Sequence, residues 1–334
     1  MDNLNKKKIL ITGSSGFIGQ RIVKYFKNKN YYLIGVDKLS LSVENGLDHF
    51  INLDLSLEGN KDKISEILND VDTVIHLAAA KADWGLDYNT YYKDNCINTQ
   101  ILLDCCKSKD IKTFIHYSTV GVLPQSENSL DENTLPNPDT DYGRTKLIAE
   151  ELISSQDIRN YFQKIIIIRP SAVFGINQPV DNNIYRLINA IKNKKFLMIG
   201  NGEEIKTISY IEELINVTYW LLINVEEEFS VWHYVDEPKI STKELVNMCY
   251  KEIHNKKSSF FLPKEIVIFV AKIFDFVGKV INVNLPITSM RIKKFCTATN
   301  FSSKKLEDKG YIRLFESKHS IIKTIKWQIK NNDK

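Results

Sequence analysis

The chain alternates between short apolar runs and segments with helical periodicity, and this alternation predicts its architecture. In the first half, near-continuous apolar runs of strand length are separated by segments in which apolar residues recur every three to four positions. Strands are predicted at Lys8–Thr12, Tyr31–Val36, His49–Leu53, Thr73–Leu77, Thr113–Tyr117 and Lys164–Ile168, and helices at Phe17–Asn28, Tyr91–Lys107 and Tyr142–Ser154. Strands that are apolar throughout are typical of parallel sheets buried on both faces. The sequence therefore predicts an α/β fold with a Rossmann-type, doubly wound parallel sheet.

The second half is less regular, and we expect it to form a smaller lobe. Helices are predicted at Ile184–Lys192 and Glu212–Leu222, strands at Phe196–Ile199 and Val231–Val235, and mainly helices from Thr242 to a last one at Ser317–Ile329. We expect a first domain at residues 1–175, to which residues 205–237 return. Residues 176–204 and 238–334 are expected to form a mostly helical C-terminal lobe.

One apolar stretch, Ile266–Ile281, has charges at helical spacing: Lys272, Asp275 and Lys279. These charges make it unsuitable as a membrane span, and we expect no transmembrane segment. A helix covering a pocket or core is the first interpretation, and a weak membrane-surface contact is the alternative. The N-terminus lacks the apolar core of a signal peptide.

Composition excludes several classes of protein. The 45 Lys and Arg residues nearly balance the 41 Asp and Glu residues, so the net charge of +4 gives no reason to expect a nucleic-acid partner. The five cysteines lack CxxC spacing, and the histidines lack metal-ligand spacing. We expect reduced thiols, no metal and a cytoplasmic location.

The strongest local motif is a glycine-rich turn between the first predicted strand and helix. Gly13, Gly16 and Gly19 have the spacing of a dinucleotide-binding fingerprint, and the helix N-terminus would offer N–H groups to a pyrophosphate. Asp37 ends the next strand and can accept hydrogen bonds from an adenosine ribose. Since its carboxylate would repel a 2′-phosphate, NAD is the expected cofactor and NADP is less favoured; Lys38 weakens that preference.

A second motif, Tyr142-Gly143-Arg144-Thr145-Lys146, lies on a predicted helix. Residues four apart share a helix face, so the Lys146 ammonium would lie near the Tyr142 phenol and favour its ionised form. Such a phenol can give a proton to a carbonyl oxygen or take one from an alcohol. The motif follows Tyr117-Ser118-Thr119 by one strand-to-helix unit.

With these motifs in this order, the chain resembles the extended short-chain dehydrogenase/reductase family, the group of nucleotide-sugar epimerases, dehydratases and reductases. The resemblance covers nearly the whole chain and rests also on His76-Leu77-Ala78-Ala79, Asn95 and the segment Arg169–Gly175. It implies that Thr119 hydrogen-bonds the substrate oxygen beside Tyr142, and that Tyr142 and Lys146 also contact the cofactor. The other cofactor-binding residues it implies are Gly13, Ser15, Gly16, Phe17, Ile18, Gly19, Asp37, Asp54, Leu55, Leu77, Ala78, Ala79, Pro170 and Val173.

For the substrate, the segment Gly200–Glu213 resembles the stretch in which nucleotide-sugar members place a basic residue on the diphosphate. The resemblance makes Lys206 the candidate diphosphate contact, and it makes Asn183 and Arg186 candidate nucleotide contacts. Three positions depart from the family's patterns. Val120 and Gly121 replace the Asp-Glu pair of 4,6-dehydratases, and Leu123 stands where many epimerases have tyrosine.

These features predict an NAD(P)-dependent oxidoreductase or epimerase acting on a nucleotide sugar. The preferred interpretation is reduction of a 4-keto-6-deoxy sugar nucleotide for surface polysaccharide biosynthesis. Three alternatives stay open: a UDP-hexose 4-epimerase, a 3β-hydroxysteroid-type dehydrogenase acting on a lipid alcohol, and a non-catalytic dinucleotide sensor. The resemblance further implies a homodimer that pairs through the helices at Tyr91–Lys107 and Tyr142–Ser154.

Overall fold

A parallel sheet forms the centre of the structure, a computed structural model that describes residues 6–40, 46–81, 86–256, 261–269, 272 and 297–331. In these residues the sheet has seven strands in the order β11-β7-β5-β4-β1-β2-β3, and every neighbouring pair is parallel. The strands are β1 (Lys8–Thr12), β2 (Tyr32–Asp37), β3 (His49–Asn52), β4 (Thr73–His76), β5 (Thr113–Tyr117), β7 (Lys164–Pro170) and β11 (Phe229–Tyr234). The predicted Rossmann-type α/β fold is confirmed.

Shorter strands pair outside this sheet. They are β6 (Ser126–Leu130) with β13 (Thr299–Phe301), β8 (Ala172–Phe174) with β10 (Ile208–Tyr210), and β9 (Met198–Ile199) with β12 (Phe261–Leu262). The predicted strand at Phe196–Ile199 is thus shorter than expected. The region after Thr242 also contains strands, whereas the sequence suggested mainly helices, because two- and three-residue strands leave no periodic pattern.

Helices cover both faces of the main sheet and form most of the remainder. They are α1 (Phe17–Lys27), α2 (Lys61–Ile67), α3 (Tyr88–Tyr92), α4 (Asn98–Cys106), α5 (Asp141–Ser154), α6 (Gln156–Arg159), α7 (Asn183–Lys192), α8 (Ile211–Asn224), α9 (Thr242–His254), α10 (Lys304–Asp308) and α11 (Ser317–Asn331), with 264–269 also helical. The predicted helix at Tyr91–Lys107 is interrupted, because Lys93–Ile97 forms a π-helical segment between α3 and α4.

Alternate residues of each central strand enter opposite cores, which is why these strands are apolar throughout. Ile9 and Ile11 of β1 join one buried cluster, whereas Leu10 joins the other. In β7, Ile166 and Ile168 lie on the first side and Ile165 on the second. α8 packs beside α1, and β11 extends the sheet beyond β7. Residues 211–234 therefore return to the first half's sheet.

Most of the apolar stretch predicted as a helix at Ile266–Ile281 lies outside the described residues. Its first part is helical, and Ile266 and Phe269 are exposed there. Among the helices that the structure describes, none combines the length and the apolar character needed to cross a bilayer.

Candidate active site

The glycine-rich turn joins β1 to α1 with very little space around its backbone. Gly13 has a φ of +67°, and a Cβ there would lie 2.9 Å from the Ala78 amide nitrogen. A Cβ at Gly19 would lie 2.2 Å from the Gly13 carbonyl oxygen. No side chain caps the N-terminus of α1, so its first N–H groups are left for another acceptor. The turn therefore has the form that a bound pyrophosphate requires.

Asp37 ends β2 beside this turn. Its carboxylate accepts hydrogen bonds from the Ser15 amide at 3.0 Å and the Leu39 amide at 2.9 Å. Carboxylate oxygens hold more than one acceptor position each, so the group can also accept from ribose hydroxyls. The neighbouring Lys38 ammonium lies 2.5 Å from a carboxylate oxygen of Asp94. The Asp94 carboxylate therefore partly offsets the positive charge that Lys38 could offer to a 2′-phosphate.

The loop after β4 lies against the glycine-rich turn, and buried polar side chains hold it in place. The Thr12 hydroxyl accepts hydrogen bonds from the Leu77 and Ala78 amides, both at 3.1 Å. Asn95 accepts from the Ala80 amide at 2.7 Å, and Asn98 donates to the Ala78 carbonyl at 2.9 Å. The sequence motif located this loop, but it did not identify Thr12 or Asn98 as its supports.

These elements enclose a cleft of about 200 Å³. Its lining residues are Gly13, Gly16, Val36, Asp37, Lys38, Leu39, Leu53, Asp54, Leu55, Leu77, Ala78, Ala79, Asp94 and Asn98. Apolar side chains line the space for a flat ring, and the Asp37 carboxylate lies at its edge. The uncapped end of α1 opens beside it. This set of donors, acceptors and apolar walls fits the adenosine diphosphate half of a dinucleotide.

Thr119 follows β5 and is half-buried, and its hydroxyl accepts a hydrogen bond from the Gly121 amide at 3.0 Å. α5 begins with a cap in which the Thr140 hydroxyl accepts from the Gly143 amide. A Cβ at Gly143 would lie 2.3 Å from the Gly121 carbonyl oxygen, so glycine allows α5 to approach the turn after Thr119 closely. This approach brings the helix with Tyr142 next to the segment that contains Thr119.

Tyr142 lies on the first turn of α5, half-buried, with its ring centroid 6.1 Å from that of Tyr91. Lys146 lies one turn further on and is almost fully buried. Burial lowers the pKa of Lys146 to about 8, although the nearby Glu150 and Cys96 act in the opposite direction. The Lys146 ammonium contacts the ring of His116, which lies in β5 three residues before Thr119. The histidine is a site residue that the sequence motif did not reveal.

The π-helical segment fixes α5 against the loop after β4. Asn95 in this segment donates to the Thr145 hydroxyl at 2.9 Å while it accepts from the Ala80 amide. Cys96 contacts the Thr145 carbonyl through its thiol at 3.3 Å. The extra residue of a π-turn rotates the side chains that follow it, and such turns occur often at functional sites. Here the rotation places Asn95 between the two halves of the candidate site.

A buried ion pair lies one helical turn after Lys146 on α5. Arg169 donates to both carboxylate oxygens of Glu150, at 2.9 and 2.5 Å, and both side chains are 6% exposed. Glu150 lies one turn after Lys146 on α5, so the pair joins this helix to the end of β7. Pro170 and Val173 follow Arg169, and both are buried. Their predicted contact with the cofactor stays a prediction.

The predicted substrate residues lie in the other part of the fold. Asn183 and Arg186 are exposed on α7, whereas the preceding Asn182 caps the helix and donates to the Val173 carbonyl at 2.7 Å. Lys206 precedes β10, and its ammonium donates to the Thr297 carbonyl at 2.5 Å. β10 pairs with β8, so Lys206 and α7 both adjoin the segment that continues from Pro170.

The sheet, the glycine-rich turn and the cleft define a dinucleotide-dependent enzyme of the Rossmann class. Residues 9–235 match the sequence model of the NAD dependent epimerase/dehydratase family. The chain belongs to this family, which confirms the resemblance to extended short-chain dehydrogenases and the prediction that it is an NAD-dependent enzyme.

Individual relatives cover almost the whole chain. It is 26% identical over 328 residues to an N-acetyl-alpha-D-glucosaminyl-diphospho-ditrans,octacis-undecaprenol 4-epimerase from Escherichia coli O157:H7, covering 96% of this chain and 95% of the relative. It is 23% identical over 325 residues to a decarboxylating sterol-4-alpha-carboxylate 3-dehydrogenase from Dictyostelium discoideum, covering 92% and 95%. The fold is similar to that of a UDP-glucuronic acid 4-epimerase from Bacillus cereus in complex with NAD, with a TM-score of 0.76, 24% identity and coverage of 97% and 99%.

Proposed function

We propose that the protein inverts the configuration at C4 of a hexose that is attached to a diphosphate. The observation that carries this proposal is Tyr142 and Lys146 on one face of α5, beside the segment containing Thr119 and the dinucleotide cleft. The E. coli relative, which matches along almost its whole length, is named as a 4-epimerase of a sugar diphosphate. A lipid-alcohol dehydrogenase, as in the Dictyostelium relative, is the alternative with another substrate class.

In this proposal the chain's own residues hold the sugar and move the proton. NAD, when bound, supplies the acceptor and donor of hydride at the sugar carbon. The Tyr142 phenolate takes the proton from the C4 hydroxyl and returns it after the keto sugar has turned, while Thr119 holds the same oxygen. Lys146 supplies the positive charge that stabilises the phenolate. Lys206 binds the diphosphate, and so it holds the substrate while the sugar turns.

A second candidate is reduction of a 4-keto-6-deoxy sugar. It is favoured by Leu123, which is 3% exposed and packs with Val120, Val122 and Phe301 where many epimerases have a tyrosine. Leucine has no hydroxyl, so this position cannot supply the hydrogen bond that a tyrosine could offer to a sugar. Either reaction would belong to surface polysaccharide assembly in the cytoplasm.

One experiment separates these reactions. The purified protein is incubated in deuterated water with NAD or NADH and separately with hexoses linked to UDP or to undecaprenyl diphosphate, with 4-keto-6-deoxy sugar nucleotides, and with a 3β-hydroxysterol. A 4-epimerase interconverts the two C4 epimers without net consumption of cofactor and without solvent deuterium at C4. A reductase consumes one equivalent of NADH for each product formed. Turnover of a sterol alcohol instead of any sugar would contradict both candidates.

We also propose that the protein is a homodimer that pairs through α3, α4 and α5. Tyr88 and Tyr92 support this, because they expose 42% and 40% of their surface on α3 and stack at 6.0 Å. Exposed neighbouring aromatic rings are typical of protein interfaces. Sedimentation equilibrium should give twice the chain mass, and Tyr88→Asp should shift the protein toward the monomer.

A further inference from the structure

Two ion pairs cross the dinucleotide cleft from one wall to the other. Lys38 follows β2, and its ammonium lies 2.5 Å from a carboxylate oxygen of Asp94 in the π-helical segment after α3. Asp54 follows β3, and one of its carboxylate oxygens lies 3.7 Å from the ammonium of Lys93 in the same segment. The loops after β2 and β3 form one wall of the cleft, and the chain after β4 forms the other, because β1 lies between β2 and β4 in the sheet.

The two pairs belong to one network of charges. The Lys38 side chain is 50% exposed, whereas that of Asp94 is 12% exposed. Burial acts to raise the pKa of Asp54, but hydrogen bonds from Ser56, followed by the charges of Lys93 and Lys38, outweigh it and lower the pKa. Lys38 therefore acts on the carboxylates of both pairs, and the network has two positive and two negative members.

The network leaves the cleft open and is attached to a fixed wall. Lys38, Asp54 and Asp94 line the cleft, which has a volume of about 200 Å³ with both pairs formed. Asn95, next to Asp94, accepts a hydrogen bond from the Ala80 amide and donates one to Thr145. The acidic partner of Lys38 is therefore held in place, and the pair joins the two walls while room for a ligand remains.

We propose that the ion pair between Lys38 and Asp94 is a strap that holds a dinucleotide in the cleft and slows its release. A dinucleotide leaves as the two walls separate, and their separation breaks the pair. The pair between Lys93 and Asp54 joins the same walls at a longer distance and adds to the strap. Partly exposed ion pairs change an equilibrium by up to about fivefold, and such changes are expressed mainly in the dissociation rate.

The consequence of slow release depends on the reaction. A 4-epimerase needs its reduced cofactor in place until the keto sugar has received the hydride back, so a strap serves it. A reductase exchanges its cofactor after every turnover, so the same strap would limit its rate. This consequence rests on the proposed function, whereas the strap itself is tested without a sugar substrate.

The test is the rate at which bound NADH leaves the full chain, followed by stopped-flow fluorescence after mixing with excess NAD. Lys38→Met and Asp94→Asn each remove one partner of the pair, and each should speed release by about two- to fivefold. The double variant Lys38→Met/Asp94→Asn should be no faster than the faster single variant, because the pair is already lost in either one.

The direction of the two effects separates a strap from a simple effect of charge. The pyrophosphate of a dinucleotide is negatively charged. Through charge alone, Lys38→Met would speed release, whereas Asp94→Asn would slow it. The strap requires both substitutions to speed release.

Lys27→Met and Asp48→Asn are the matched controls, because they make the same changes of charge in a pair outside the cleft. Lys27 ends α1, and its ammonium lies 2.6 Å from Asp48, which precedes β3, at the opposite edge of the sheet. Both variants should release NADH as the unaltered protein does, and thermal unfolding should show that all variants are folded. Release that is slowed by Asp94→Asn, unchanged in either single variant of the strap, or accelerated in the double variant by the product of the two single effects would overturn the proposal.

Discussion

The Nζ atom of Lys146 lies 3.1 Å from the Nε2 atom of His116, and both side chains are buried. An ammonium group only donates, so Nε2 is the acceptor and the ring proton resides on Nδ1. Burial, followed by the charges of Lys146 and His76, lowers the pKa of His116 well below its ordinary value, which keeps the ring neutral. His116 is therefore a positioning residue: its neutral ring accepts a hydrogen bond from the Lys146 ammonium and does not repel it.

The first prediction concerns this contact. In the unaltered enzyme, turnover that depends on the Lys146 charge should fall as pH rises through the lysine's pKa of about 8. His116→Phe removes the acceptor, so the buried ammonium is less stabilised and its pKa should fall further. The measurement is the pH profile of kcat, in which the alkaline limb should move to lower pH. We expect kcat at neutral pH to decrease by about tenfold.

Two further variants make this result interpretable. His116→Gln restores an acceptor and should recover part of the profile, whereas His49→Phe, at an exposed histidine of β3, should leave it unchanged. An unshifted alkaline limb in a folded His116→Phe protein would assign His116 a packing role only.

Asp37 yields a prediction about cofactor choice. The Ser15 and Leu39 amides donate to different carboxylate oxygens of Asp37, so Asp37→Asn keeps the shape of the side chain and one of these two hydrogen bonds while it removes the negative charge. The preference for NAD over NADP should therefore decrease by about tenfold or more, through better NADP binding. Fluorescence titration of both cofactors checks this. An unchanged ratio of the two dissociation constants would mean that Asp37 shapes the turn and does not select the cofactor.

The ion pair between Arg169 and Glu150 should contribute more to stability than an exposed pair on the same helix. Glu150→Gln leaves a buried guanidinium without its counter-charge and should lower the free energy of unfolding by about 3 kcal/mol. Asp141→Asn, which breaks the exposed pair with Arg144, should cost less than about 1 kcal/mol. Urea unfolding of both variants provides the comparison, and equal costs would contradict it.

Lys206 links the candidate site to the substrate class. Lys206→Ala should raise KM for a diphosphate-linked sugar by about tenfold and leave the dissociation constant for NAD unchanged. Lys243→Ala is the matched control, because Lys243 is exposed and pairs with Glu203 on the same side of the lobe. A sterol alcohol has no diphosphate, so on that substrate class Lys206→Ala should be silent.

The predictable part of the fold is the part with a repeating pattern. β1, β5 and α5 occur almost where the apolar pattern indicated, because each buries a continuous or periodic set of side chains. β8 and β10 were not predicted, since three residues are too few to show an alternating pattern. Their pairing depends on contacts between segments far apart in sequence, which no local pattern encodes.

The candidate site was predictable to a similar degree. Motif spacing indicated Gly13, Tyr142 and Lys146, because those positions depend on one turn of helix or one tight loop. It did not indicate His116, whose importance follows from its contact with the Lys146 side chain of α5. A buried histidine in a strand also resembles any other core residue. The contribution of such residues therefore becomes visible only when the neighbouring elements are in place.

The last prediction addresses the proton transfer itself. Tyr142→Phe removes one oxygen from a half-buried side chain that contacts the Tyr91 ring, so the fold and the dinucleotide cleft should survive. Turnover should decrease by about 10²–10⁴-fold, the usual effect of losing a positioned general acid or base, while NAD affinity stays the same. Thr119→Ala should cost less, since in the proposed mechanism it removes a single hydrogen bond to the substrate oxygen. Tyr91→Phe is the matched control, because it removes the same oxygen from the neighbouring ring. Pre-steady-state measurement of NADH formation tests the chemical step directly, and a folded Tyr142→Phe protein with undiminished NADH formation would require a different proton acceptor.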